Sequence, residues 1–285
     1  MAWILVLFLI PVAGIILYVL FSQNVSKWKV YKYTKDEIYV MTSALERQEK
    51  AIANGLYDFT SFEATEWEDL IRLNQNYGRS YYTQDNTMEI MTSGQELSAH
   101  MIEDIRSARH TVHVQFFIIK PDEVGKEFLR ILTEKAKEGV KVRLLVDALG
   151  SRHMTHRRVR EFEAAGGAFA QFFPPRFAVF QYVNPKLNFR NHRKLVAIDD
   201  EIAYIGGYNV AREYLGRKKK FGFWRDTHVR IRGGAVQDIN YRFLQDWRAS
   251  TDELIHLPDA FFPLEQSPGK DRKSTRLNSS HGRRS

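Results

Sequence analysis

The sequence predicts a layered α/β/α domain with a mixed, largely parallel sheet, preceded by one transmembrane helix, on three observations. Residues 2–21 carry no charge. From Asn86 to Phe172, strand-like and helix-like apolar periodicities alternate, the pattern of strands joined by crossover helices. The 285 residues, 44% hydrophobic and 27% charged, are enough for one large domain or two small ones and exclude a disordered chain. No cysteine is present, which rules out disulfides, thiolate nucleophiles and sulfur-ligated metal centres. The net charge of +8 includes six Lys or Arg against one acid, Asp271, in residues 270–285, so the remainder stands near +3 and no nucleic-acid partner is expected.

Taken in order, residues 1–24 read as the membrane segment. Ala2 to Phe21 is twenty residues long, which as a helix spans about 30 Å, the thickness of a bilayer's hydrocarbon core. A signal peptide would need a basic stretch ahead of it and a small-x-small cleavage site after it, and neither is there. Lys27, Lys29, Lys32 and Lys35 follow, which predicts a cell (inner) membrane protein with the bulk of the chain on the cytoplasmic side. Trp3 and Trp28 stand near the two ends, either as interface anchors or as ordinary apolar residues.

Residues 25–85 read as a membrane-proximal helical linker rather than core, from Ile38, Met41, Ala44 and Leu45 and again from Trp67, Leu70, Ile71 and Asn74 at helix spacing. The globular domain is expected over residues 86–262. A strand with apolar Met88 and Ile90 precedes a helix whose Leu97, Met101, Ile102 and Ile105 share a face, and Thr111 to Ile119 reads as a buried strand. Val124 to Glu138 is a helix with Phe128, Leu129, Leu132 and Ala136 on its stripe, capped by Asp122 and stopped at Gly139. A strand from Val140 to Val146 ends at Asp147, a helix from Thr155 to Ala165 closes at Gly166 and Gly167, and a strand follows at Phe169 to Phe172. Ligands of such a sheet sit beyond its strands' carboxyl ends. Pro174, Pro175 and Pro185 mark a loop expected over that end. Phe116, Phe117, Phe169, Phe172 and Phe173 read as core, and the basic runs Arg157 to Arg160 and Arg217 to Lys220 as solvated faces. Residues 263–285 show no apolar periodicity and read as a disordered, non-native-looking tail.

The chemistry lies in Asn188 to Asn209, NFRNHRKLVAIDDEIAYIGGYN. His192, Lys194 and Asp199 form a His-x-Lys-x4-Asp spacing, followed by Gly206, Gly207 and Asn209. On a strand, His192 and Lys194 point to one face. An imidazole nitrogen can attack phosphorus, while an ammonium and an amide stabilise the phosphoryl oxygens. The glycine pair allows close backbone approach where the second strand leads into an expected helix.

At these residues the chain resembles the phospholipase D superfamily, whose HKD motif has this spacing, and more narrowly the bacterial cardiolipin synthases. The resemblance extends to HVQFFIIKPDEVGKEFLRILTEKAKEGVKVRLLVDALGS, IGGYNVAREYLG and FGFWRDTHVRIRGGAV, and runs from the N-terminus to about Phe262. It implies a phospholipase D-like domain at a phospholipid membrane, with no metal and no cofactor. The implied reaction is transesterification of two phosphatidylglycerol molecules to cardiolipin and glycerol. It implies that His192 is the nucleophile that forms a phosphohistidine or the acid that protonates the leaving glycerol. Lys194 and Asn209 match phosphate-binding positions, and Asp199 the motif aspartate, with an orienting and structural role. Glu213 and Asp226 are candidate imidazole orienters, weighed against surface or capping carboxylates.

The superfamily uses two such motifs, one histidine attacking while the other serves as acid and then base. None of the other eight histidines has Lys two residues on and Asp seven on. Two expectations follow: the chain is a fragment cut at both ends that carries the first HKD half, or a one-motif protein that completes its site as a homodimer. A phosphodiesterase or nuclease, and a catalytically silent membrane-bound half-domain, are the competing functions.

Overall fold

The structure, a computed structural model, describes residues 2–21, 35–78, 80–172, 190–220, 222–251 and 253. The expected membrane span is two helices, α1 (Ala2–Leu9) and α2 (Pro11–Phe21). Pro11 has no N–H to donate and crowds the residue ahead of it, so the helix breaks at Ile10. Gly14 lets the two pieces touch, since a Cβ there would stand 2.8 Å from the Val6 carbonyl oxygen. Among the described residues no helix is long and apolar enough to cross a membrane. Lys27, Trp28, Lys29 and Lys32, the loop prolines, Phe173 and the tail lie outside the described residues.

The linker forms α3 (Lys35–Ala53), α4 (Phe62–Glu66) and α5 (Glu68–Gly78). It is more than a linker: Ala44 of α3 joins a core cluster with Phe243 and Trp247. Gln48 ties the helices together, its carbonyl accepting from Gln75 Nε2 and from the Tyr82 N–H, both at 2.8 Å. On α5, Ile71 and Gln75 face inward, whereas Leu70, Leu73 and Tyr77 stay exposed, as does Trp67 between α4 and α5.

The sheet domain runs β1 (Thr87–Ser93), α6 (Gly94–Ser107), β2 (Thr111–Phe116), α7 (Glu123–Lys137), β3 (Lys141–Asp147), α8 (His156–Ala164) and β4 (Ala168–Phe172). It continues with β5 (Leu195–Ile198), β6 (Ile202–Gly206), β7 (Arg225–Arg232) and α9 (Ala235–Thr251). Asp122 caps α7 as expected, its Oδ1 accepting the Val124 and Gly125 N–H groups at 3.1 Å.

One seven-stranded sheet has the order β1-β7-β6-β5-β2-β3-β4. It is mixed, but mostly antiparallel rather than largely parallel. Only β2 with β3 and β3 with β4 pair parallel, where α7 and α8 supply the crossovers. The other half is built by direct returns. Asp199 and Asp200 both take positive φ, 52° and 58°, and turn β5 back into the antiparallel β6. Under α6, α7 and α8 lies the larger core, with Val112, Val114, Phe116, Leu132, Val142 and Phe162; α9 covers the opposite face. β1 is an edge strand whose inward residue is Met91, while the apolar Met88 and Ile90 are each 70% exposed. They lie beside Ile231 and Val229 on the α9 face, where α9 does not reach.

Candidate active site

His192 and Lys194 meet where the chain enters β5, level with the carboxyl end of β2. Lys194 is buried, and His192 lies over it at the surface. The Lys194 ammonium stands 2.9 Å from His192 Nδ1 and 3.0 Å from Nε2, and donates to the His192 carbonyl at 2.7 Å. The Phe117 ring, expected in the core, instead packs against His192 with centroids 4.6 Å apart, and the ammonium lies 5.4 Å from that ring's centre.

Burial disfavours a charged lysine and pulls the Lys194 pKa down to about 8, against the pull of Asp226. Burial, and then the neighbouring ammonium, lowers the His192 pKa as well. His192 is therefore neutral at pH 7, with one unprotonated nitrogen, beside a lysine that still carries charge for an anion.

Two buried carboxylates that the sequence did not single out as positioning groups fix the chain on either side of His192. Asp147, at the end of β3, accepts the Leu149 and Gly150 N–H groups at 2.9 Å through Oδ1 and the Asn191 N–H at 3.1 Å through Oδ2. Asp246 of α9 receives Asn191 Nδ2 at 2.8 Å, Arg193 Nη1 at 2.9 Å and Gln115 Nε2 at 2.7 Å. Asp147 stands at a predicted strand end; Asp246 gives little local signal, because apart from Arg242 one turn away its partners are far off in sequence. Ser151 holds Phe117 by donating to its carbonyl at 2.9 Å, and Gly150 permits the approach, since a Cβ there would lie 2.3 Å from the same oxygen.

The glycine pair leads into an irregular loop, not a helix. A Cβ on Gly206 would lie 2.5 Å from His228 Cα, and one on Gly207 2.0 Å from Asp226 Oδ1, so both glycines make room for β7. Asp226 is thereby brought to the lysine side of the site, where its charge favours the ammonium. Asn209 bridges the loops around the site: its Oδ1 accepts the Ile118 N–H and its Nδ2 donates to the Tyr214 hydroxyl, both at 2.9 Å. One amide hydrogen remains for a ligand.

Two candidates stand elsewhere. Asp199 occupies the far end of β5, four residues of strand from Lys194, and accepts the N–H groups of Arg109, His110 and Thr111 at 2.7, 2.8 and 2.7 Å. Burial opposes its charge, but those three donors prevail and hold the carboxyl below the usual aspartate range. Its work is to lock the α6–β2 connection, not to touch a substrate. Glu213 is not an imidazole orienter either: its buried carboxylate is paired with the Lys120 ammonium.

An exposed neutral imidazole thus lies over a buried lysine at the strand ends of a mixed α/β sheet. The family described as "Cardiolipin synthase, PLD-like domain" matches residues 101–247, and the chain belongs to it. The chain is 38% identical over 269 residues to the "Cardiolipin synthase" of Staphylococcus aureus (strain Mu50 / ATCC 700699), covering 94% of this chain and 54% of that protein. It is 38% identical over 262 residues to the "Major cardiolipin synthase ClsA" of Bacillus subtilis (strain 168), covering 91% and 54%. The chain thus spans about half the length of the curated relatives it matches. Among solved structures, "NucT from Helicobacter pylori" matches with a TM-score of 0.44 at 12% identity, over 58% of this chain and 98% of that one.

Proposed function

We propose that the chain supplies one of two halves of a phosphatidyltransferase that makes cardiolipin from two molecules of phosphatidylglycerol. The observation that carries this reading is the neutral His192 imidazole held over the Lys194 ammonium. In the first step a His192 nitrogen forms a bond to the phosphorus of one phosphatidylglycerol. The P–O bond to glycerol breaks, and the departing oxygen takes a proton from an acid on the other half. In the second step a hydroxyl of another phosphatidylglycerol loses its proton to that same group and attacks the phosphohistidine. Cardiolipin leaves and the imidazole is restored. Lys194 and the free Asn209 amide hydrogen stabilise the charge on the phosphoryl oxygens. Asp199 and Asp147 act through the backbone, Asp246 through the side chains of Asn191, Arg193 and Gln115, and Asp226 through the lysine. The other half is either the further length that the relatives possess or a second copy of this chain about a two-fold axis.

The same reading places the chain at the inner membrane, its sheet domain on the cytoplasmic side. The uncharged run Ala2 to Phe21 supports attachment, as does the exposure of Phe8 and Val12 within it. The lysines that follow support the sidedness. Exposed Leu70, Leu73 and Tyr77 of α5, with Trp67 just ahead of the helix, support contact with the membrane surface.

The test is transfer from phosphatidylglycerol labelled in its phosphate, in mixed micelles, with protein concentrated enough to dimerise. Labelled cardiolipin and a labelled protein adduct, both lost in His192→Ala, are expected of a site completed by two copies. Phosphatidic acid as the sole product would make water the acceptor and the chain a phosphodiesterase. A folded protein with neither adduct nor product would mean that this half is silent by itself.

A further inference from the structure

Three strands bring Lys194, Gly206 and His228 into one row. Gly206 N donates to the Lys194 carbonyl at 3.2 Å, and Gly206 is the cross-strand partner of His228. Both side chains therefore rise from the same face of the sheet, on either side of a residue that has none. At about 4.8 Å per strand spacing their Cα atoms are about 10 Å apart, a gap that a lysine stem and an imidazole close between them. The His228 ring leans into it: a Cβ on Gly206 would meet His228 Cγ at 2.7 Å.

His228 has 0% exposure, and neither ring nitrogen has a hydrogen-bond partner among the described residues. Buried polar atoms are nearly always paired, so a histidine with two idle nitrogens needs an explanation. Burial drives its pKa down to about 4, which makes it neutral and leaves one nitrogen as a bare acceptor. The groups around it are few. Asp226 is on its own strand face, Met91 of β1 closes the far side, and the Tyr208 ring is 6.3 Å away. The Tyr208 hydroxyl is already engaged by the Thr92 carbonyl and the Asp226 N–H. Lys194 is the cation on this row, and it is held at present by His192.

We propose that His228 is the second acceptor for the Lys194 ammonium, a positioning residue that draws the lysine off His192. Where the ammonium now sits, it covers both His192 ring nitrogens, one of which has to reach phosphorus. Turning toward His228 uncovers that nitrogen and keeps the charge in the site. Two ammonium hydrogens remain for phosphoryl oxygens. The consequence for turnover rests on the phosphatidyl-transfer reading; the lysine–imidazole contact itself does not.

Histidine-selective 15N labelling of this chain tests the contact without any activity. As Lys194 loses its proton near pH 8, the His228 ring-nitrogen signals are expected to shift, and in Lys194→Met they are expected to stay flat from pH 6 to 10. The Lys194 pKa, read from labelled lysine carbons, is expected to fall by about one unit in His228→Phe and to recover in His228→Asn, which keeps an acceptor. Signals of His228 that ignore both pH and Lys194→Met would overturn the proposal. A His228→Phe variant that melts like the parent and keeps its lysine pKa would do the same. In the transfer assay His228→Phe is expected to lower kcat at least tenfold with little change in KM, and His228→Asn to restore most of it. If the parent transfers nothing while the signals couple, this half is silent by itself and the contact stands.

Discussion

Asp199 sits in the motif that suggested chemistry, yet its geometry assigns it to stability, and the two roles separate on substitution. In Asp199→Ala the Arg109, His110 and Thr111 N–H groups lose a charged acceptor. A hydrogen bond to a charged group contributes about 1.5–3 kcal/mol, but the site is half-exposed and water partly replaces the carboxylate, so about 2–4 kcal/mol in total is reasonable. Alanine at a φ of +52° adds about 1 kcal/mol more. The expected loss is thus about 3–5 kcal/mol, a fall in Tm of roughly 10 °C for a domain of this size. Asp199→Asn should lose about half as much. Asn tolerates this φ, and its carbonyl can still serve His110 and Thr111, which share Oδ1, while its NH2 faces the Arg109 N–H. Because the folded carboxyl is more acidic than the unfolded one, this stability is complete above the unfolded value near 4 and is lost as pH falls through the folded value. The gap between parent and Asn variant should therefore close in acid. Urea midpoints from pH 2 to 7, with phosphatidyl transfer measured on the folded fraction, provide the assay. A variant as stable as the parent but without transfer would refute the structural role.

Gly206→Ala should cost stability and transfer together, because its Cβ meets β7 backbone at 2.5 Å; Gly207→Ala meets only the Asp226 carboxylate and should impair transfer at a smaller drop in Tm. Asp246→Ala should destabilise the domain by about 3–5 kcal/mol, since it leaves Arg193 and Arg242 without their carboxylate, and thermal melts would show it. Burial holds the His113 pKa down to about 4. The unfolded chain takes up this proton first, so stability drops as pH falls from about 6.5 toward 4, and His113→Gln should flatten that slope in a urea series. Replacing Trp67, ahead of α5, and Leu70 on it by serine should weaken flotation with phosphatidylglycerol vesicles while the melt is unchanged, as both side chains are exposed.

Where neighbours in sequence are neighbours in space, the site was legible. His192 and Lys194 are two residues apart and meet just where the chain enters β5, and Asp122 caps α7 because its partners are two and three residues on. Sheet direction was not legible: the alternation of strand and helix up to β4 suggested parallel strands, but β5 pairs antiparallel with β2, and β6 and β7 follow as antiparallel neighbours that no helix period announces. The apolar alternation of β1 marks an uncovered face, because the strand is an edge that α9 does not reach and Met88 and Ile90 stay outside. Asp246 and His228 were missed for a common reason. Their importance comes from cross-strand and helix-on-sheet contacts with residues at least twenty positions away, which local spacing does not encode.

The division of labour in the proposed reaction follows from acidities. Expelling glycerol as an alcohol requires a donor of moderate acidity beside the leaving oxygen, and restoring the enzyme requires the same group as a base. His192 cannot be that donor while its nitrogen is bonded to phosphorus. Lys194, at about 8, is acidic enough, but it is buried beneath the imidazole and tied to the His192 carbonyl, on the side away from an in-line leaving group. Asp147 and Asp246 are committed to backbone amides and guanidinium groups, and Glu213 to Lys120. The described residues thus equip the nucleophile fully and leave the leaving group unserved. A second imidazole facing His192 across the phosphorus would supply the missing proton, which is why a mixture of His192→Ala chains with parent chains should lose activity in proportion to the mixed pairs, if two copies make one site.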